Sequence, residues 1–153
     1  MFDILRYNTN IDPKEYGFEA FYSLDSIGRK IKKAKNLQEA VAYRNKKALL
    51  VLEDYAINEG AIKLIGEKNE ACFVIDLSRI IKNSGLQRAL ELNRLRNFLK
   101  YCIKYKAKYA LASFISEEHK IRTARELIHI SLLLGLDIGK AKEALTRIKD
   151  YLL

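Results

Sequence analysis

Short, mostly apolar runs recur along this chain with helical stretches between them, and that alternation constrains the fold more than any other feature. The candidate strands are Phe2–Arg6, Phe18–Tyr22, Ala48–Leu52, Ala71–Ile75 and Tyr109–Ser113. Runs this brief and this apolar suit strands buried on both faces of a parallel sheet. The intervening helical segments are Ser26–Lys35, Leu37–Asn45, Ala56–Lys68 and Leu86–Tyr105. Strands alternating with helices predict parallel βα units.

The helix over Leu86–Tyr105 carries the clearest pattern. Leu92, Leu95, Leu99, Cys102 and Ile103 share one stripe and form its predicted core face. Arg94, Arg96, Lys100 and Lys104 take the flanks and the opposite side, where Glu91 is the sole acid. Such a face is either solvated or reserved for a polyanion. Arg88 projects like the core stripe but one turn earlier, at the helix's N-terminal mouth. In a βα unit that mouth lies at the carboxyl end of the preceding strand, where ligands of parallel α/β folds gather. An arginine there can meet a phosphate or brace a loop by bonding its carbonyls.

A second helix is predicted over Lys120–Leu134, with Leu127, Ile128, Ser131 and Leu134 inward and Arg122, Arg125 and His129 on the other face. Gly135 stops it, and Asp137 caps a last helix running through Tyr151. That last helix turns Ala141, Leu145 and Ile148 to the core, and Lys140, Arg147 and Lys149 mainly to solvent.

The 153 residues are 49% hydrophobic and 31% charged, with one proline and no linker-like stretch, so a single domain over 1–153 is expected. Cys72 and Cys102 both sit in apolar runs and read as buried, reduced thiols. Asp3 and Arg6 interrupt any N-terminal apolar leader, and the apolar stretch around Ile130–Leu136 is too short to span a bilayer. A soluble, cytoplasmic protein without a membrane partner is the expectation.

Formal net charge is +9, from 28 basic and 19 acidic residues. Residues 1–76 hold 12 of each sign, whereas residues 77–153 hold 16 basic and 7 acidic, so the whole excess lies in the second half. A one-sided excess suits nucleic acid or an anionic membrane surface.

Catalytic patterns are absent from the sequence: no Gly-rich phosphate loop, no GxSxG and no HExxH. The two histidines, His119 and His129, stand ten residues apart without a metal-binding pattern of carboxylates. Asp3 and Asp76 fall at plausible strand ends but make a poor metal pair without histidines. Ser113, Ser116 and His119 belong to a polar strand-to-helix loop in which nothing orients the imidazole as a base. No catalytic or metal-binding residue and no bound cofactor is therefore expected of this chain.

The order of five segments resembles the ribonuclease P protein component 3 family, the barrel-type subunit of archaea and eukaryotes. These are CFVIDLSRII (Cys72–Ile81), the pair Arg88-Ala89, YALASF (Tyr109–Phe114), KIRTARELIHISLLLGLD (Lys120–Asp137) and AKEAL (Ala141–Leu145), within Ala71–Leu145, 75 of 153 residues. Two departures stand out. The family's consecutive serines followed by alanine appear here as Ser113-Phe114-Ile115, and its Arg-x-Pro-Arg/Tyr-Asp stretch as Arg122-Thr123-Ala124-Arg125-Glu126.

The resemblance implies a TIM-barrel-like α/β fold. Family members resemble a seven-stranded variant of that barrel, and a full barrel takes about 200 residues or more. About five strands therefore imply a trimmed N-terminal half and an open or partial barrel. It further implies a subunit of the ribonucleoprotein that removes the 5′ leader from precursor tRNA, with RNA performing the chemistry on magnesium ions. Its partners are then the catalytic RNA, the component 2 protein and, through the holoenzyme, precursor tRNA. Arg88, Arg122 and Arg125, supported by Arg94, Arg96, Lys100 and Lys104, are the expected phosphate contacts, with Ser113, Ser116 and His119 as possible loop contacts. Two other readings remain: an RNA-binding or assembly protein that kept the fold without the ribonuclease P role, and a metal-dependent phosphoesterase.

Overall fold

The computed structural model describes residues 1–152. Six strands form two parallel sheets: β1 (Phe2–Leu5) with β2 (Ala20–Ser23), and β3 (Ile31–Ala34), β4 (Leu49–Leu52), β5 (Cys72–Asp76) and β6 (Lys108–Ala112) in that spatial order. The exit of β6 sews the sheets together: Phe114 N–H donates to Ile4 O and Arg6 N–H to Ile115 O, both at 2.9 Å. Beneath them Asp3 Oδ1 accepts from Ser113 N–H at 2.7 Å and Oδ2 from Ser113 Oγ–H at 2.5 Å. The spatial order is thus β2-β1-β6-β5-β4-β3.

Alternate residues sort to two cores, as a period of two requires. Leu50, Leu52, Phe73, Ile75, Tyr109 and Leu111 pack with the helices. Phe2, Ile4, Ile31, Leu49, Val74 and Ala110 form the other core, against which Tyr22 of β2 also packs. A core shared by both outermost strands is that of a rolled sheet. No ladder joins β2 to β3 among the described residues, so the barrel is open along that seam. The four-residue helix α1 (Leu24–Ile27) links the two edges. The C-terminal turn closes the barrel's lower end. Ile148 and Tyr151 join the inner core, Tyr151 O–H donates to Glu70 O at 3.1 Å, and Lys30 Nζ donates to Leu152 O at 2.9 Å.

The parallel βα class and the open barrel are as expected, but there are six strands rather than about five. The extra one, β3, takes four of the ten residues of the predicted helix over Ser26–Lys35. Gly28 follows α1, and Ile31 and Ala34 are buried in a ladder with β4, so tertiary pairing outweighs the helical propensity of the lysines. The segment expected as a helix over Leu37–Asn45 holds only α2 (Leu37–Ala40) and a 3₁₀ turn. Next come α3 (Glu59–Lys68) and α4 (Ser78–Ile81).

The long helix α5 (Gly85–Lys104) buries Glu91, Leu95, Phe98, Leu99 and Cys102. Its stripe is rotated from the predicted one, and Ile103 is 43% exposed. The physical reason is Phe98, which meets Tyr55 and Phe73 edge-on at centroid distances of 5.0 and 5.1 Å. Burial pushes the Cys72 thiol up to about 12 and that of Cys102 well above its ordinary range, so both are inert thiols.

Helix α6 (Ala124–Leu133) opens with a capping box: Thr123 accepts from Glu126 N–H, and the Glu126 carboxylate accepts from Thr123 N–H. Asp137 caps α7 (Ile138–Arg147), and α8 (Lys149–Leu152) ends the described chain. Arg147, expected mainly in solvent, is half-buried. It donates to Tyr109 O at 2.6 Å, pairs with Glu143 and lies over the Tyr109 ring.

Candidate nucleic-acid interface

The carboxyl ends of β1, β5 and β6 form a mouth whose scaffold is set by buried acids. Asp76, the last residue of β5, accepts from Ser78 N–H at 3.0 Å and Ser78 Oγ–H at 2.5 Å through one oxygen. Its other oxygen lies 3.5 Å from Arg6 Nη2 and 4.0 Å from Arg79 Nε. Arg79 stacks on Tyr55, bonds the carbonyls of Leu52 and Glu53, and lies 3.9 Å from the buried Glu91. Arg6 donates to Phe114 O at 3.1 Å and covers the Phe114 ring. Phe114 has φ +48°, a left-handed conformation that is strained for a bulky side chain and persists because the Ile4 hydrogen bond and the Arg6 clasp overdetermine it.

Above this scaffold lie two hollows of about 290 and 300 Å³ that share Ile81 and Arg122 as lining residues. The first also takes Arg88 and His129; the second takes Arg6, Lys82, Ser116 and Lys120. The acids beside them are engaged: Glu126 in the capping box of α6, and Glu117 with Lys120 at 3.1 Å and His119 at 3.3 Å. Arg122 is the telling member. Its Nε is buried and has no hydrogen-bond partner among the described residues. A buried charged donor left unpaired costs about 1–3 kcal/mol or more, a cost that a hydrogen-bond acceptor in the shared wall would offset.

Of the two roles open to it in the sequence, Arg88 takes the loop-bracing one. Its Nε bonds Ile80 O at 3.1 Å and Asn83 O at 2.6 Å, bracing the loop after α4, while its side chain lines the first hollow. Arg125 is exposed on α6. Arg96 and Lys100 line a separate hollow of about 430 Å³ on the outer side of α5, with Leu134 and Gly135. Arg94 pairs with Glu91 at 3.1 Å. Lys104 pairs with Glu59 at 2.9 Å and lies over Tyr101 and Tyr105, about 24 Å along the helix from Arg88. The basic residues of α5 are thus split among four places rather than forming one face.

The loop candidates also separate. Ser113 is buried and spent on Asp3, Ser116 is exposed in the second hollow, and His119 is exposed beside Glu117. Asp3 and Asp76 do not share a site: Asp3 closes β1 onto β6, and Asp76 holds the mouth. No three His, Cys, Asp or Glu side chains are placed to hold a metal among the described residues. No helix among them is long and apolar enough to cross a membrane.

The sequence reading missed Arg6, Lys82 and Lys120 as members of the mouth. Arg6 had a usable signal, since it ends the predicted strand Phe2–Arg6 and so falls at the carboxyl end of the sheet.

No protein-family model matches the chain, and no curated protein matches it in sequence. In fold it is similar to a chain of the cryo-EM structure of archaeal ribonuclease P with mature tRNA. The TM-score is 0.69 at 14% identity, over 98% of this chain and 79% of that one. The shared feature is the fold.

Proposed function

We propose that this chain is a component 3-type protein subunit of ribonuclease P that binds and stabilises the catalytic RNA together with the component 2 protein. The observation that carries the reading is the fold likeness, over nearly the whole chain, to a chain of an archaeal ribonuclease P assembly bound to tRNA. The mouth supports it: Arg88 and Arg122 offer planar guanidinium forks suited to phosphate oxygens, with Lys82 and Lys120 adding charge. Contacts of this kind position a folded RNA by its backbone and shape and do not read sequence. In this reading the chemistry and its magnesium ions belong to the RNA, and the chain supplies no catalytic group.

The test is reconstitution of catalytic RNA with the component 2 protein, with and without this chain, scored by 5′ cleavage of precursor tRNA. The expected result is a faster reaction or a lower magnesium requirement. The variant R88Q/R122Q removes two phosphate contacts. It is expected to lower the slope of log K against log salt by about 1.5 and to weaken RNA binding roughly 30-fold at 0.1 M salt. Salt-dependent RNA binding with no gain in cleavage would instead assign the chain to RNA binding outside ribonuclease P.

A further inference from the structure

The even charge of residues 1–76 conceals a local imbalance. Residues 29–47 contain eight basic side chains and one acid, Glu39. They are Arg29, Lys30, Lys32, Lys33 and Lys35 along β3, and Arg44, Lys46 and Lys47 in the turn before β4. The ladder brings the two groups together: Ile31 pairs with Leu49, and Leu49 N–H donates to Lys30 O at 2.9 Å. Unlike Arg79, Arg94, Lys104 and Lys120, none of the eight has a carboxylate within 4 Å among the described residues. Lys46 and Lys47 lie over the rings of Tyr43 and Tyr151. Asp25 shares a hollow of about 500 Å³ with Arg29 and Lys30, and Glu39 spends its carboxylate on Lys35 N–H.

From this we infer a second RNA-backbone surface along the open edge strand β3 and the Arg44–Lys47 turn, apart from the mouth. It rests on the reading that the chain works against RNA. At about 3.3 Å per residue, the run from Arg29 to Lys35 spreads its charges over about 20 Å. That length suits several successive phosphates better than one small anion. Lysines on an edge strand also discourage strand-to-strand aggregation, which accounts for Lys32 and Lys33. It does not account for Arg29, Lys30, Lys35, Arg44, Lys46 and Lys47, which lie outside the strand. A membrane surface is disfavoured because the exposed positions of the patch are basic or small and polar, without the apolar face that an interfacial element buries. An open seam gives such an edge a use: it leaves β3 reachable along its length.

The test measures binding of the full chain to a labelled RNA stem-loop across a salt series, for the wild type, K46Q/K47Q, K46R/K47R and R88Q/R122Q. Lys46 and Lys47 lie outside the strand, so edge protection is untouched. The expectation for K46Q/K47Q is a salt slope lower by about 1.5 and binding roughly 30-fold weaker at 0.1 M salt, with the arginine pair restoring both. If K46Q/K47Q binds like the wild type while R88Q/R122Q is weakened, the edge surface is refuted and the mouth survives. If only K46Q/K47Q is weakened, the edge stands and the mouth falls. K46Q/K47Q that keeps RNA binding but loses binding to phosphatidylserine vesicles refutes the RNA assignment. A wild type with no salt-sensitive RNA binding overturns both.

Discussion

Asp3 is 0% exposed, placed in the middle of β1 where an ionised carboxylate is costly. Burial pushes its carboxyl from 3.8 up to about 6, even though hydrogen bonds from Ser113 and Ile4 favour the charged form. A rise of about 2 units corresponds to about 3 kcal/mol of differential stability at 1.36 kcal/mol per unit. The native state holds this proton more tightly than the unfolded chain. Its stability contribution is therefore full below about 4 and is lost as pH rises toward about 6. The variant D3N keeps an acceptor for Ser113 N–H and a neutral side chain at every pH, so it lacks this loss. Urea unfolding of both proteins from pH 4 to 7.5 should show D3N gaining on the wild type by about 3 kcal/mol across the window. Other titrating groups are common to both and cancel in the difference. Parallel stability curves would refute the claim that burial governs this carboxyl.

Thr123→Ala removes the side-chain half of the α6 capping box and is expected to cost about 1 kcal/mol in chemical unfolding. An unchanged midpoint would mean that the cap is redundant. Gly66→Ala places a Cβ 2.5 Å from the Tyr105 carbonyl oxygen, where α3 meets the end of α5. Its expected net loss is about 1–3 kcal/mol, larger than the gain of about 1 kcal/mol from alanine's helix propensity, and it is read as a lowered Tm. A raised Tm would refute the close approach.

Much of this architecture was legible in the sequence, because buried parallel strands and capped helices leave local marks. Five of the six strands overlap apolar runs, and Asp137 marks the start of α7, whereas the helix expected from Lys120 starts only after the Thr123 cap. What escaped was set by tertiary pairing. The β3 stretch IKKA looks helical or polar until β4 lies beside it. Glu91 was counted as an interruption of a basic face, yet it is buried where Arg79 and Arg94 reach it. Ser113 was placed in a polar loop and is instead the bond that closes β1 onto β6. Summing charge by halves pointed at residues 77–153 and passed over residues 29–47. The site was legible in kind, as Arg88 and Arg122 beside one strand end, but Arg6 comes from a strand 70 residues before Asp76, which no spacing rule connects.

The cations around the mouth divide by what holds them, and that division separates stability from binding. Arg79 is fixed by Asp76, Glu91, two carbonyls and the Tyr55 ring, and Arg94 by Glu91; both belong to the scaffold. Arg122 and Lys82 lack such partners among the described residues and face the hollows. Removing Arg79 leaves buried carboxylates short of a counter-charge, a loss that for buried pairs reaches about 3–5 kcal/mol. Removing Arg122 instead relieves an unpaired donor while deleting the proposed phosphate contact. R79Q should therefore lower the unfolding midpoint and leave the salt slope of RNA binding nearly unchanged, whereas R122Q should do the reverse. If both variants moved stability and salt slope together, the mouth would act as a single network, and carboxylate pairing would not mark which cations meet the RNA.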